Sequence, residues 1–149
     1  MTSTPEAVTR QWFKEVWNDG DEGAIDRLMA PDGEVFGLTG LDGPSLSGPA
    51  AFKPLFHTFR GALANLDVTV ERTLVDGEFC TAYCRVKGIH AGAHFGGAPT
   101  GRPVDFTGIT ITRVRDGQLV EGWNVFDFLT MYQQIGWIVN PVLPTAPAA

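Results

Sequence analysis

The residue best suited to proton transfer stands where a β-strand pattern ends and a helical pattern begins. Asp127 closes the run WNVFD of residues 123–127, and the side chains of an extended chain alternate between its two faces. Alternation puts Trp123 and Val125 on the same face as Asp127. A carboxylate beside these side chains on a concave apolar surface would lose solvation, which raises its pKa and suits general acid–base catalysis near neutral pH. Asp127 is equally placed to cap a helix beginning at Phe128, and spacing alone gives both roles similar weight.

His90 is the second candidate for a catalytic side chain. It stands where a strand pattern runs out into the Gly-rich segment HAGAHFGGAPTGRP. An imidazole there is able to hydrogen-bond a substrate carbonyl, to share a proton with Asp127, or to fix the loop by bonding its backbone. His94 follows four residues later, but both lie on a loop and no third ligand accompanies them, so we expect no metal site. Phosphate-binding and dinucleotide-binding glycine motifs are missing from the sequence, and we expect no cofactor.

Other side chains are candidates for the wall of a binding pocket. Tyr83 and Arg85 share one face of their strand, where they supply a hydroxyl and a cation if that face is concave and form a solvated stripe if it is not. Phe106 and Asp105 are adjacent in a strand and point to opposite faces. If Phe106 faces the cavity, Asp105 therefore faces away from it. Trp12 lies on the apolar side of the first predicted helix. We therefore expect Tyr83, Arg85, Phe106 and Trp12 to bind substrate together with Trp123 and Val125.

Helices and strands must position these residues. The spacing of apolar side chains predicts helices over residues 5–17, 21–30, around 52–59 and 128–136. Alternation predicts strands over 66–71, 79–89, 104–114 and 119–126, after a short extended segment at 34–39. Asp-Gly pairs at 76–77 and 116–117 indicate hairpins. This order indicates an α+β fold in which three N-terminal helices pack on a curved antiparallel sheet, forming a cone with an internal pocket.

Composition narrows the class of protein. The chain has 149 residues, of which 44% are hydrophobic and 19% charged, and this predicts one globular domain over residues 1–140 with a flexible tail over 141–149. The net charge of −6 and the lack of a Lys/Arg run argue against nucleic acid as a partner. We find no membrane-length apolar run and no signal pattern, so a cytoplasmic location and no membrane partner are expected. Cys80 and Cys84 are interpreted as packing thiols.

The C-terminal third of the chain resembles the SnoaL-like polyketide cyclase family. That family carries a G-T-H-x-G-x-F-x-G-x-x-P-T-G-[KR] segment, a long strand, then R-x-x-D-G-K-I-x-E-x-W-x-x-x-D and a helix ending Q-Q-L-G. The matching residues here are Gly88, His90, Gly92, Phe95, Gly97, Pro99, Thr100, Gly101, Arg102, Arg113, Asp116, Gly117, Glu121, Trp123, Asp127, Gln133, Gln134 and Gly136. The VWNDGD that follows the first helix matches more loosely.

The resemblance implies a nuclear-transport-factor-2-like α+β cone. It also implies an enzyme that closes a polyketide ring by an aldol reaction without metal or cofactor. In the family, the aspartate that matches Asp127 takes the proton α to a carbonyl, and His90 matches the family histidine. Phe36 and Tyr83 stand where the family commonly has His and Arg, which implies a more apolar and less cationic pocket in which both contact the substrate. A homodimer or higher homo-oligomer is expected from the same resemblance.

We therefore expect an enzyme that cyclises or rearranges an apolar, polyketide-like substrate, with Asp127 as the general acid and base. Two alternatives stay open at this point. One is a non-catalytic protein that binds a ligand in the same pocket, with Asp127 only as a helix cap. The other is a hydrolase or dehydratase that acts on an ester or epoxide.

Overall fold

The computed structural model describes residues 3–40 and 42–139. Helices and strands follow in the order α1 (Pro5–Trp12), a wider π-helical segment (Phe13–Asn18), α2 (Glu22–Leu28), β1 (Met29–Phe36), β2 (Leu46–Ser47), α3 (Gly48–Ala62), β3 (Leu63–Asp76), β4 (Phe79–His90), β5 (Pro103–Arg115), β6 (Gln118–Phe126) and α4 (Phe128–Gln134). The predicted tail over 141–149 lies outside the described residues.

The helices begin where the sequence supplies caps. The Thr4 hydroxyl accepts a hydrogen bond from a backbone N–H of the first turn of α1, and the Asp21 carboxylate does the same for α2. Asn18 then ties the helical layer to the sheet, because its side-chain amide both donates to the carbonyl of Val68 (2.9 Å) and accepts from the N–H of Val68 (2.6 Å). The predicted helices over 5–17 and 21–30 are confirmed, with the first one widening after Trp12.

One six-stranded sheet, in the order β2-β1-β6-β5-β4-β3, forms the other layer. The predicted hairpins are confirmed, since antiparallel pairs β3–β4 and β5–β6 close at residues 76–79 and 115–118. The expectation of a wholly antiparallel sheet is wrong at one place, because β1 pairs with β6 in parallel. The segment before β1 supplies α1 and α2 and the connection from β2 to β3 supplies α3, and all three helices contact the sheet, as the predicted α+β cone requires.

The two faces of the sheet differ in burial, and strand β4 shows this most clearly. Its even-numbered residues from Cys80 to His90 are all buried, whereas odd-numbered ones such as Tyr83 and Arg85 are exposed. The inner face therefore packs against the helices, and the outer face is turned to solvent. Burial raises the pKa of the Cys84 thiol to about 12, as expected of a packing cysteine rather than a nucleophile. In the described part of the chain, no helix is long and apolar enough to span a membrane.

Candidate active site

An apolar cavity lies between the helices and the inner face of the sheet. It contains about 860 Å³ of space, counting the part that is open to solvent at its mouth. Its walls include Trp12, Trp17, Val35, Leu38, Phe52, Leu55, Phe59, Leu66, Val86, Phe106, Thr110, Gly122, Asn124, Phe126 and Phe128. Leu38, Leu55, Phe59, Phe126 and Phe128 stay half-exposed and mark the mouth, and a cavity of this composition suits an apolar ligand.

The polar side chains of the wall come from β5 and β6. Thr110 and Asn124 lie directly opposite each other in the β5–β6 ladder, and both line the cavity. Two acidic residues, Glu34 and Glu121, also contribute to the wall; the Glu121 carboxylate is on the outer face, whereas Oε2 of Glu34 is buried without a hydrogen-bond partner among the described residues. The Glu121 carboxylate accepts a hydrogen bond from the outward-facing Arg113 (2.8 Å), and Glu34 lies beside Glu121 in the β1–β6 ladder.

Asp127 does not take the orientation that the sequence predicted. Its side chain is exposed, and it caps α4: the backbone N–H of Thr130 donates to Oδ1 (3.0 Å) and the hydroxyl of Thr130 donates to Oδ2 (2.6 Å). These hydrogen bonds stabilise the ionised form and hold the pKa of Asp127 below its ordinary value. The expected rise in pKa is therefore wrong, and the capping alternative is confirmed. A catalytic role for Asp127 stays a prediction.

The face that carries Trp123 and Val125 is the outer one, so their predicted contact with a cavity is wrong. Val125 is 77% exposed, and Trp123 stacks on Phe36 with ring centroids 5.8 Å apart. Phe36 is consequently also outside the cavity. The alternate face of β6, with Asn124 and Phe126, lines the cavity instead.

Tyr83 and Arg85 are outer-face residues as well, so their assignment to the pocket is wrong. Arg85 forms a two-point ion pair with Asp105, with Nε to Oδ1 at 2.7 Å and Nη2 to Oδ2 at 2.8 Å. Tyr83 is 39% exposed. Both belong to a solvated stripe, which was the second of the two alternatives that the sequence allowed. The expected outward orientation of Asp105 is confirmed, and Phe106 lines the cavity as predicted.

Trp12 also lies on the cavity wall, where the edge of its ring packs against Phe52 with centroids 5.1 Å apart. The helical spacing of α1 was sufficient to find it, because the apolar stripe of an amphipathic helix faces the interior of the protein. Binding of a ligand by Trp12 and Phe106 stays a prediction.

His90 is on the inner face but behind the cavity. The side chain is fully buried, and its Nδ1 accepts a hydrogen bond from the backbone N–H of Thr100 (3.2 Å), so it fixes the loop as one of the sequence alternatives proposed. Because Nδ1 is an acceptor, the neutral ring carries its proton on Nε2, and that atom has no hydrogen-bond partner among the described residues. The ring stacks on Phe95, and Phe95 packs on the cavity-lining Phe59 with centroids 5.3 Å apart. His90 itself does not line the cavity, although its ladder partner Leu63 does.

Thr110, Asn124 and Gly122 are wall residues that the sequence interpretation missed. A signal for them was present, because Phe106, Thr110 and Thr112 have the same parity along β5. Once Phe106 is taken as inward-facing, the hydroxyls of Thr110 and Thr112 follow, and the β5–β6 hairpin register places Asn124 and Gly122 beside them. Over residues 3–40 and 42–139, no group of three His, Cys, Asp or Glu side chains is arranged to hold a metal ion.

A helical layer that closes an apolar cavity against a curved sheet defines a ketosteroid-isomerase-like cone. A protein from Catenulispora acidiphila with a ketosteroid isomerase-like fold, solved with trimethylamine, superposes on this chain with a TM-score of 0.73 at 20% identity, over 91% of this chain and 96% of that one. The chain belongs to the SnoaL-like polyketide cyclase family, whose model matches residues 7–135.

Individual members resemble the chain along most of its length. IdmH from Streptomyces antibioticus, a proposed polyketide cyclase, is 27% identical over 90% of this chain and 99% of its own, with a TM-score of 0.77. AclR from Streptomyces galilaeus, a proposed hydroxylase, is 21% identical over 93% of this chain and 85% of its own, with a TM-score of 0.79. No functionally curated protein is similar to the chain at a significant level.

Proposed function

We propose that the protein is a cofactor-independent enzyme that closes or rearranges a ring in an apolar, polyketide-like substrate bound in the cavity. One observation supports the proposal: in this member of the family, Asp127 lies in the chain between two residues that line the apolar cavity. Asp127 comes directly between Phe126 and Phe128, and both of these rings line the cavity. A substrate held by the rings would present its outer end to Asp127.

The protonation state of the Asp127 carboxylate decides whether it acts first as an acid or as a base. Because its pKa is lowered, Asp127 is ionised at neutral pH and begins as a base. A base with a low pKa removes a proton efficiently only from an activated carbon, such as a CH₂ between two carbonyls of a polyketide or between a carbonyl and an aromatic ring. The resulting enolate carbon would attack a second carbonyl to form the new C–C bond, and the alkoxide formed there would take the proton back from Asp127.

The capping contacts set a cost for this role. Thr130 holds both carboxylate oxygens, so proton transfer requires Asp127 to rotate away from the start of α4. Loss of a helix cap costs about 1 kcal/mol, which slows a reaction by roughly one order of magnitude at most. The cap therefore reduces the rate without preventing the reaction.

A non-catalytic ligand-binding protein is the second candidate, and the same contacts favour it. A carboxylate whose two oxygens are satisfied by Thr130 needs no catalytic explanation. In this case the cavity alone accounts for function, and Asp127 only begins α4.

Proton exchange on a model ketone separates the two candidates. 2-Tetralone is an apolar bicyclic ketone whose C1 protons exchange with deuterium when a base forms the enolate, and ¹H NMR in D₂O follows their loss. We expect the protein to accelerate this exchange and Asp127→Asn to reduce the acceleration by about 100-fold or more, since general-base catalysis contributes roughly 10² to 10⁴. Asn caps a helix about as well as Asp, so stability should be retained.

Asp105→Asn is the matched control, because it removes a carboxylate from the outer face instead of the mouth. It should leave the exchange rate unchanged. Equal rates for the wild type, Asp127→Asn and Asp105→Asn would contradict catalysis by Asp127 and favour the ligand-binding candidate.

A further inference from the structure

We propose that Thr110 and Asn124 form a binding site for one hydroxyl group of an uncharged, multi-ring ligand in the cavity. The inference rests on the proposed function only in so far as the cavity holds an apolar ligand. It holds equally for an enzyme and for a binding protein. It adds to the apolar walls a single polar contact that would select among apolar molecules.

Thr110 is a buried hydroxyl with an unfilled hydrogen-bonding capacity. The residue is 2% exposed and lines the cavity, and its hydroxyl has no hydrogen-bond partner among the described residues. The neighbouring hydroxyl of Thr112 differs, because it lies 2.6 Å from the hydroxyl of Thr9 and 3.3 Å from the carbonyl of Cys80. A hydroxyl on the cavity wall that is not engaged by the described residues is available to a ligand that enters the cavity.

Asn124 supplies an acceptor next to this hydroxyl. Its Nδ2 donates to the backbone carbonyl of Phe36 at 3.0 Å, and this contact fixes which end of the amide is oxygen. Oδ1 is thereby left without a hydrogen bond in the described residues. Since Thr110 and Asn124 are direct partners in the β5–β6 ladder, the free hydroxyl and the free amide oxygen share one place on the wall.

Space for a ligand beside the pair comes from a glycine. Gly122 is on the same face of β6, two residues deeper than Asn124, and a Cβ added there would meet no atom within 4 Å. The φ angle of Gly122 is not in the left-handed region, so the backbone conformation of the strand does not require glycine there. The missing side chain therefore leaves a recess, named here the Gly122 recess, next to Thr110 and Asn124.

The chemistry of the pair selects the ligand group. A hydroxyl fits because it donates to Oδ1 of Asn124 and accepts from the Thr110 hydroxyl. An ether oxygen fits poorly, because it has no proton for Oδ1 and leaves that acceptor unpaired. An anion is disfavoured, since no Lys or Arg of the described residues lines the cavity, whereas the acidic residues Glu34 and Glu121 do. A phenol, an enol or an alcohol on a ring system thus matches the site.

A pair of fluorescent probes tests the site. 2-Naphthol has the hydroxyl, and 2-methoxynaphthalene has the same rings without a donor, so their dissociation constants are compared by fluorescence titration. The wild type should bind 2-naphthol about tenfold more tightly, which is the effect of one well-formed buried hydrogen bond of about 1.4 kcal/mol. Thr110→Val keeps the shape of the side chain and should abolish most of this preference while leaving 2-methoxynaphthalene binding within about twofold.

Thr107→Val is the matched control, because it removes a hydroxyl from the same strand but from the opposite face, and the preference should survive in it. Gly122→Val should fill the Gly122 recess and weaken both probes. Equal binding of the two probes by the wild type, or a preference that Thr110→Val leaves intact, would overturn the hydroxyl site while the cavity stays a ligand site. Binding of neither probe would overturn both the hydroxyl site and the apolar-ligand proposal.

Discussion

The inner and outer faces of the β5–β6 hairpin reverse the usual rule that large apolar residues face inward. On the inner face, the wall of the cavity is formed by Thr110, Thr112, Gly122 and Asn124 along with Phe106 and Phe126, and the Phe126 ring packs on Gly108. On the outer face, Ile109, Ile111, Trp123 and Val125 stand toward solvent. A wall that must leave room for a ligand needs small side chains, and a face without such a constraint retains large ones.

The largest effect that distinguishes the two faces is the burial of a charge. Cys84 and Tyr83 are neighbours on β4, the first fully buried and the second on the outer face. Cys84→Asp should destabilise the protein by at least about 4 kcal/mol, because an unpaired carboxylate would be buried, whereas Tyr83→Asp should change the free energy of unfolding by about 1 kcal/mol or less. Urea unfolding followed by circular dichroism measures both. Similar losses in the two variants would contradict the assignment of the faces.

Self-association is the next comparison, and the expected homo-oligomer stays a prediction. Two rows of side chains cross the outer face in register, Tyr83–Ile109–Val125 and Thr81–Ile111–Trp123. An exposed apolar surface of this kind is typical of an interface between two copies.

If this surface is the interface, Val125→Glu should convert a dimer into a monomer, because the residue is 77% exposed at the end of its row and the variant would bury a carboxylate in the interface. Sedimentation velocity gives the mass. Asp32→Glu, on the exposed part of β1, is the control that should leave it unchanged. A wild type that is monomeric at micromolar concentration would disprove the expectation.

A smaller effect belongs to the cap at the mouth. Asp127→Ala should lose about 1 kcal/mol of stability, and Asp127→Asn should lose a few tenths. Because the pKa of Asp127 is lowered in the folded protein, its stabilising contribution is present above the ordinary aspartate pKa and is lost as the pH falls through the lowered value. The difference in stability between the wild type and Asp127→Asn should therefore be constant from pH 8 to 5 and shrink below about pH 4. Thermal unfolding at a series of pH values checks it, and a difference that first changes near pH 6 would contradict the lowered pKa.

The smallest effect is expected from the ion pair on the outer face. Arg85 and Asp105 make two short contacts, but both side chains are exposed (47% and 40%), so water screens them. Arg85→Gln should leave the midpoint of urea unfolding nearly unchanged and leave binding of 2-naphthol unaffected. A strong loss of probe binding in this variant would contradict the outer-face position of Arg85 and indicate that it contacts the cavity.

The sequence was sufficient for the order and type of the elements except the short strand β2, and it extended the second helix over Met29 and Ala30, which begin β1. Caps at Thr4 and Asp21, Asp-Gly hairpins and the apolar spacing of α1 are local features, and local interactions decide them. The family motif between residues 88 and 136 predicted the cone, which the family match confirms.

The faces of the strands could not be obtained in the same way. Alternation separates two sets of residues but does not say which set faces inward. Hydrophobicity usually decides, and in β6 it pointed to Trp123 and Val125, since the inner face is made of Gly122, Asn124 and Phe126. The parallel pairing of β1 with β6 could not be predicted either, because the two strands are far apart in the sequence and no local turn joins them.

The mouth and the recess of the cavity come from separate segments of the chain. Leu38 at the mouth belongs to the connection between β1 and β2, two strands joined by only two residue pairs, whereas Thr110, Gly122 and Asn124 belong to a continuous hairpin. Changes in that connection are uncoupled from the register of the hairpin. A homologue or an engineered variant could therefore exchange the segment of residues 37–45 to admit ligands of another width, and keep the same preference for a hydroxyl group at the wall.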